Sequence, residues 1–182
     1  MGIARTLTSL ALTYVNPHIA DSDIIYRART KKGHAMFKHI LIPTDGSTLS
    51  KKAITNGVKF ARSAGAKVTG FFAAPPYRPM IYEDFMPANF MSPKQHEEVN
   101  ARLAAKHLGV IEKACKDAGV SYQGMQVASE FPAEAIINAA KAKKCDLVFM
   151  SSHGRRGIAG ILLGSQTAHV LTHSKIPVLV YR

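Results

Sequence analysis

Residues 145–165 read C-D-L-V-F-M-S-S-H-G-R-R-G-I-A-G-I-L-L-G-S. Asp146–Ser151 is a short apolar run, the length and composition of a strand buried on both faces. Four glycines follow, at 154, 157, 160 and 164, in a segment that must bend. From Ser165 to His173 the pattern becomes helical, with Gly164-Ser165 opening the helix. A buried strand, a bending connection and a helix make one half of a β-α-β unit. Such units build a parallel sheet covered by helices on both sides.

The same alternation extends outward in both directions. Residues 37–43, F-K-H-I-L-I-P, form an apolar run ending at a turn, and T-D-G-S at 44–47 carries turn and helix-cap chemistry. Small or apolar residues at Leu49, Ala53, Gly57, Phe60, Ala61 and Ala64 predict a helix that stops at Gly65. Val68–Ala74 predicts a second strand. Pro75 to about Pro93 is rich in proline, methionine and aromatic residues and predicts a long irregular loop. A helix from about Pro93 to Ala118, ended by Gly119, leads to a third strand at Ser121–Ala128. Pro132 opens another helix at a favoured first-turn position, and Pro177–Tyr181 supplies a fifth strand. The expected fold is a three-layer α/β sandwich with a five-stranded parallel sheet, flavodoxin-like or adenine nucleotide alpha hydrolase-like.

Composition narrows the function classes. The 182 residues suit one domain with a short extension, and 47% apolar content suffices for a core. The formal charge is +12; residues 1–35 hold five basic and two acidic side chains, hence +3, which leaves +9 for the remainder. A basic surface attracts polyanions or simply keeps the chain soluble. No arginine or lysine run is interleaved with aromatics, so a specific nucleic-acid partner is not expected. Cys115 and Cys145 form no C-x-x-C, and no H-E-x-x-H occurs, so neither a structural zinc nor another metal site is expected. Two isolated cysteines suit a reducing, cytoplasmic setting as buried thiols. Leu7–Val15 is too short to span a bilayer, and no membrane partner is expected. Residues 1–35 read as an extension, mobile or not native, before a domain at 36–182.

In a parallel α/β sheet, ligands bind beyond the carboxyl ends of the strands, where the winding reverses. Two segments fall there: 43–47 after the first strand and 151–165 after the fourth. In the second, Gly154, Gly157 and Gly164 permit close backbone approach, the helix opening at Ser165 favours an anion, and Arg155 and Arg156 add charge. Phosphate binding and a connection that only turns both fit this pattern. Asp45 suits a ribose or a metal-bridged phosphate, or a helix N-cap. His153 reads as a loop histidine or an acid–base group, Ser165 as cap and phosphate ligand, and Tyr77 and Tyr82 as aromatics that stack on a base or cover the core edge. No catalytic constellation is legible.

The spacing is similar to a known family. Universal stress proteins carry G-x2-G-x9-G-[ST] after their fourth strand; here Ser151-x2-Gly154-x9-Gly164-Ser165 stands in its place, with Ser151 at the first glycine. K-H-I-L-I-P-T-D-G-S at 38–47, C-D-L-V-F-M at 145–150 and I-P-V-L-V at 176–180 resemble the family too, over about Phe37 to Arg182. The resemblance implies binding of ATP with Mg²⁺ or Mn²⁺. It implies that Asp45 lies near the ribose, that the backbone of Ala73 reads adenine, that Gly154, Gly164 and Ser165 contact phosphate and that Ser151 lies against the nucleotide; Pro43, Thr44, His153, Arg155, Gly157 and Gln166 are further candidate residues of the same site. The expected function is adenine-nucleotide binding in stress response or signalling. Its rivals are a nucleotide-independent dimeric interaction module and a weak nucleotide hydrolase. A homodimer through the C-terminal strand, Val178–Tyr181, is expected because that apolar strand makes an edge.

Overall fold

The computed structural model describes residues 36–78, 91–154 and 163–182. Nine elements alternate: β1 (His39–Pro43), α1 (Thr48–Ala64), β2 (Lys67–Ala74), α2 (Pro93–Ala118), β3 (Tyr122–Ala128), α3 (Pro132–Ala142), β4 (Leu147–Ser151), α4 (Ser165–His173) and β5 (Val178–Tyr181). The five strands form one parallel sheet in the order β3-β2-β1-β4-β5. The three-layer α/β sandwich expected from the sequence is therefore what forms.

Local signals set the element ends. The Ser47 hydroxyl accepts from the Ser50 amide at 3.1 Å and caps α1. In α2, Ser92 and Gln95 satisfy each other's backbone amides in a capping box, with Pro93 in the first turn. Both helices stop at a left-handed glycine, Gly65 at φ 65° and Gly119 at φ 67°. Helix α3 has no side-chain cap of its own at Phe131. Its Ala133 amide instead donates to the side-chain oxygen of Gln166 at 3.0 Å, which pins α3 to α4.

Alternation along the strands divides the interior into two cores. Ile40, Ile42, Val68, Leu147 and Phe149 face α1 and α2, where Ile54, Val58, Ile111 and Cys115 meet them. Leu41, Phe71, Val148 and Met150 face α3 and α4, against Ile136, Ala140 and Val170. Right-handed crossovers explain the sidedness. The chain steps from β1 outward to β2 and β3 with α1 and α2 on one face. It then crosses back past β1 to β4 and β5, which puts α3 and α4 on the other. At the amino end of the sheet, the Asp146 carboxylate accepts from the amides of Lys38 at 2.8 Å and His39 at 3.0 Å, fixing β1 beside β4. The winding reverses between β1 and β4, so the crevice that favours a ligand lies beyond Pro43 and Ser151.

Candidate functional site

The turn after β1 is built by its own side chains. The Thr44 amide donates to the Phe71 carbonyl at 2.9 Å, holding the turn against β2. The buried Thr44 hydroxyl accepts from the Gly46 amide at 3.1 Å and shares a hydrogen bond with Ser50 at 2.9 Å. Asp45 does not cap α1; Ser47 does. The Asp45 Oδ1 atom accepts from the Ser47 amide at 3.0 Å, an Asx turn that aims the carboxylate across the crevice. It reaches the loop after β4: a Cβ placed on Gly154 would collide with Asp45 Oδ2. Gly154 thus lacks a side chain where the two loops meet.

The loop after β4 is tied down at both ends. The Ser152 amide donates to the Tyr181 carbonyl at 2.7 Å, and the Gly164 amide donates back to the Ser152 carbonyl at 2.8 Å. The Thr167 hydroxyl donates to the Ser151 carbonyl at 3.0 Å. His153 Nδ1 lies 3.2 Å from the Ser152 hydroxyl. Gly164 packs so closely that an added Cβ would stand 3.2 Å from the Cα of His153.

Gly164, not Ser165, is the N-cap of α4, and it offers no side-chain cap. Ser165 is the exposed first residue of the helix. The opening amides of a helix have no intrahelical acceptor, and the dipole places positive charge there. That end of α4 follows directly on the pairing of Gly164 with Ser152 and His153. The site can therefore present backbone amides to an anion beside a carboxylate suited to hydroxyls. Among the described residues, no group of three or more His, Cys, Asp or Glu gathers as a metal centre.

The structure brings together Pro43, Thr44, Asp45, Ser151, His153, Gly154, Gly164 and Ser165 around the β1–β4 junction. Ala73 stands on β2, paired with Val127 and half-buried, one strand away. The Gln166 side-chain oxygen is engaged with α3, which leaves the side-chain NH2 and the backbone N–H as donors to an anion. Arg155, Arg156, Gly157, Gly160 and Tyr82 lie outside the described residues. Tyr77 donates its hydroxyl to the Met91 carbonyl at 3.0 Å and packs edge-on to His96, bracing the start of α2. A groove of about 290 Å³ runs along the β3 edge between Met125, Val127, Ala135, Asn138 and Ala142. It is two strands from β1 and has one charged lining group, Glu134, which does not suit a phosphate. The expectation that no histidines stand at metal-ligand spacing is wrong at His169-x3-His173. Their spacing of four within a helical stretch is the signal that reveals the pair.

Comparison with known proteins bears on the family and the fold. The model of the universal stress protein family matches residues 36–182. A universal stress protein of Thermus aquaticus is 31% identical over 147 residues, spanning 81% of this chain and 100% of the relative. The universal stress protein MJ0531 of Methanocaldococcus jannaschii is 28% identical over 156 residues, spanning 84% of this chain and 86% of that one. Among solved structures, that of MJ0577 from the same organism superposes with a TM-score of 0.59 at 26% identity, covering 80% of this chain and 95% of that one. A universal stress protein solved in complex with cAMP superposes with a TM-score of 0.57 at 24% identity, covering 80% and 97%, and shares the fold.

Proposed function

The chain belongs to the universal stress protein family, and on that premise we propose that it binds an adenine nucleotide, ATP with Mg²⁺ or Mn²⁺, between the ends of β1 and β4, in a stress-response or signalling role. One observation carries the reading: the Asp45 carboxylate meets Gly154 at the point where the sheet's winding reverses, beside the opening of α4. Phosphates suit the helix opening, and ribose hydroxyls suit the carboxylate. The metal ion would travel with the phosphates, with Asp45 as the nearby acidic group. Solved family members carry adenine nucleotides: cAMP in one, dAMP in one from Archaeoglobus fulgidus, and AMP in one from Arabidopsis thaliana.

Calorimetric titration tests the reading. ATP with Mg²⁺ should bind the wild type and raise its melting temperature, since a ligand at a hundred times its Kd adds about 2.7 kcal/mol. Guanine nucleotides should bind more weakly. Gly164→Val should abolish binding, because its side chain would press on His153. Asp45→Asn retains an oxygen for the Ser47 amide but loses the charge, and should weaken binding roughly ten-fold. A wild type that gives neither heat nor thermal protection with any adenine nucleotide would sink the proposal.

A further inference from the structure

We propose that α4 carries a second, separate site: His169 and His173 together chelate a borderline transition-metal ion, Cu²⁺, Ni²⁺ or Zn²⁺. Residues four apart on a helix lie one above the other on the same face. In α4 the two imidazoles do so as a stacked pair, with ring centroids 4.1 Å apart and planes 19° apart. In the stack the in-plane lone pairs run side by side, so chelation requires the rings to turn about χ1 and χ2 until one nitrogen of each approaches a shared ion at about 2.0–2.1 Å. His173 is exposed and His169 half-exposed, so an ion can arrive from solvent without unfolding the helix.

A second observation bears on the protonation state. His173 Nδ1 lies 2.9 Å from the His169 carbonyl oxygen. A carbonyl only accepts, so Nδ1 must carry the proton. In the neutral ring the Nε2 lone pair is then left for a metal. Metal-binding histidines are held in this way, with the other ring nitrogen donating to a carbonyl or carboxylate. His173 also closes α4, at the negative end of the helix dipole, which favours a cation. Lys175, two residues on, opposes it with a positive charge. No group of three or more metal-binding side chains forms among the described residues. The pair is thus an open two-ligand site whose remaining positions water would fill. The ligand chemistry differs from that of the nucleotide crevice, where a hard ion and phosphate oxygens are expected, so the two proposals stand independently.

The full chain should be titrated calorimetrically with NiCl2 and CuCl2, alongside His169→Ala, His173→Ala and the double variant. Alanine favours helix, and both side chains lie on the surface, so the variants should fold; thermal melts check this. We expect tighter binding of Cu²⁺ than of Ni²⁺, following the usual order of divalent metals. Each single substitution should weaken binding about ten-fold or more, since loss of an outer-shell partner alone costs that much. Electron paramagnetic resonance of the Cu²⁺ complex should show nitrogen ligands in the wild type and lose them in the double variant. A weaker residual event in the double variant, beside a clear loss of the main one, also supports the pair. Equal affinities in the wild type and the double variant, or no metal binding by the wild type, overturn the proposal.

Discussion

At the scale of single residues, the buried polar groups at the amino end of the sheet set a pH dependence. His39 is 7% exposed, and its Nε2 lies 2.8 Å from the Thr69 hydroxyl. Burial depresses its pKa and the charge of Lys67 depresses it further; Asp146 pulls the other way, and Lys143 faces the ring as well. An unfolded histidine titrates near 6.5. Between that value and the lower folded one, the unfolded chain holds a proton that the folded chain does not. Stability conferred by neutral His39 is therefore present above about pH 6.5 and falls as the pH falls through that window. The melting temperature should drop more steeply from about pH 7.5 to 5.5 in the wild type than in His39→Gln, whose amide can still meet Thr69. Parallel slopes would count against this role for His39. Burial also pushes the Cys115 and Cys145 thiols up to about 11, which agrees with their reading as inert thiols. Asp45 shows where residue-level reading stops. Its place at the end of β1 was legible from the sequence, but its contact with Gly154, more than a hundred positions away, depends on β1 and β4 being neighbours.

At the scale of elements, the strands and helices were legible because periodicity, prolines and left-handed glycines mark them locally. Strand order was not, since it records which strands pair across long separations rather than any local pattern. The spacing of His169 and His173 is open to view in the sequence, and the expectation of no histidine pair at that spacing was simply wrong. The sheet has two edges, β3 and β5. On β5, Leu179 and Tyr181 pack toward one core and Val180 toward the other, while the strand's outer backbone faces away from β4. Edge strands invite pairing, so we expect a homodimer through β5. Light scattering should return about twice the 19.8 kDa of one chain. Val180→Lys should shift the mass toward a single chain, with a melt confirming that the variant is folded. A wild type that scatters as one chain at micromolar concentration would contradict the edge-pairing idea.

At the scale of the whole molecule, the described residues assemble two cores from positions after Met36. Phe37 already packs on Phe60, with ring centroids 6.1 Å apart, and β1 follows two positions later. Stability should therefore come from the domain at 36–182. A chain beginning at Met36 should melt within a few degrees of the full chain and bind ATP equally well. A clear fall in melting temperature would instead assign residues 1–35 a structural part, as would a changed oligomer. The reach of the molecule as a unit is visible in a single bond near its C-terminus. The Ser152 amide, at the root of the loop that bears His153 and Gly154, donates to the carbonyl of Tyr181 on the outermost strand. The crevice and the rim thus share a boundary one hydrogen bond wide. Whatever pairs with the outer side of β5 therefore stands one strand away from the root of the loop that bears His153 and Gly154.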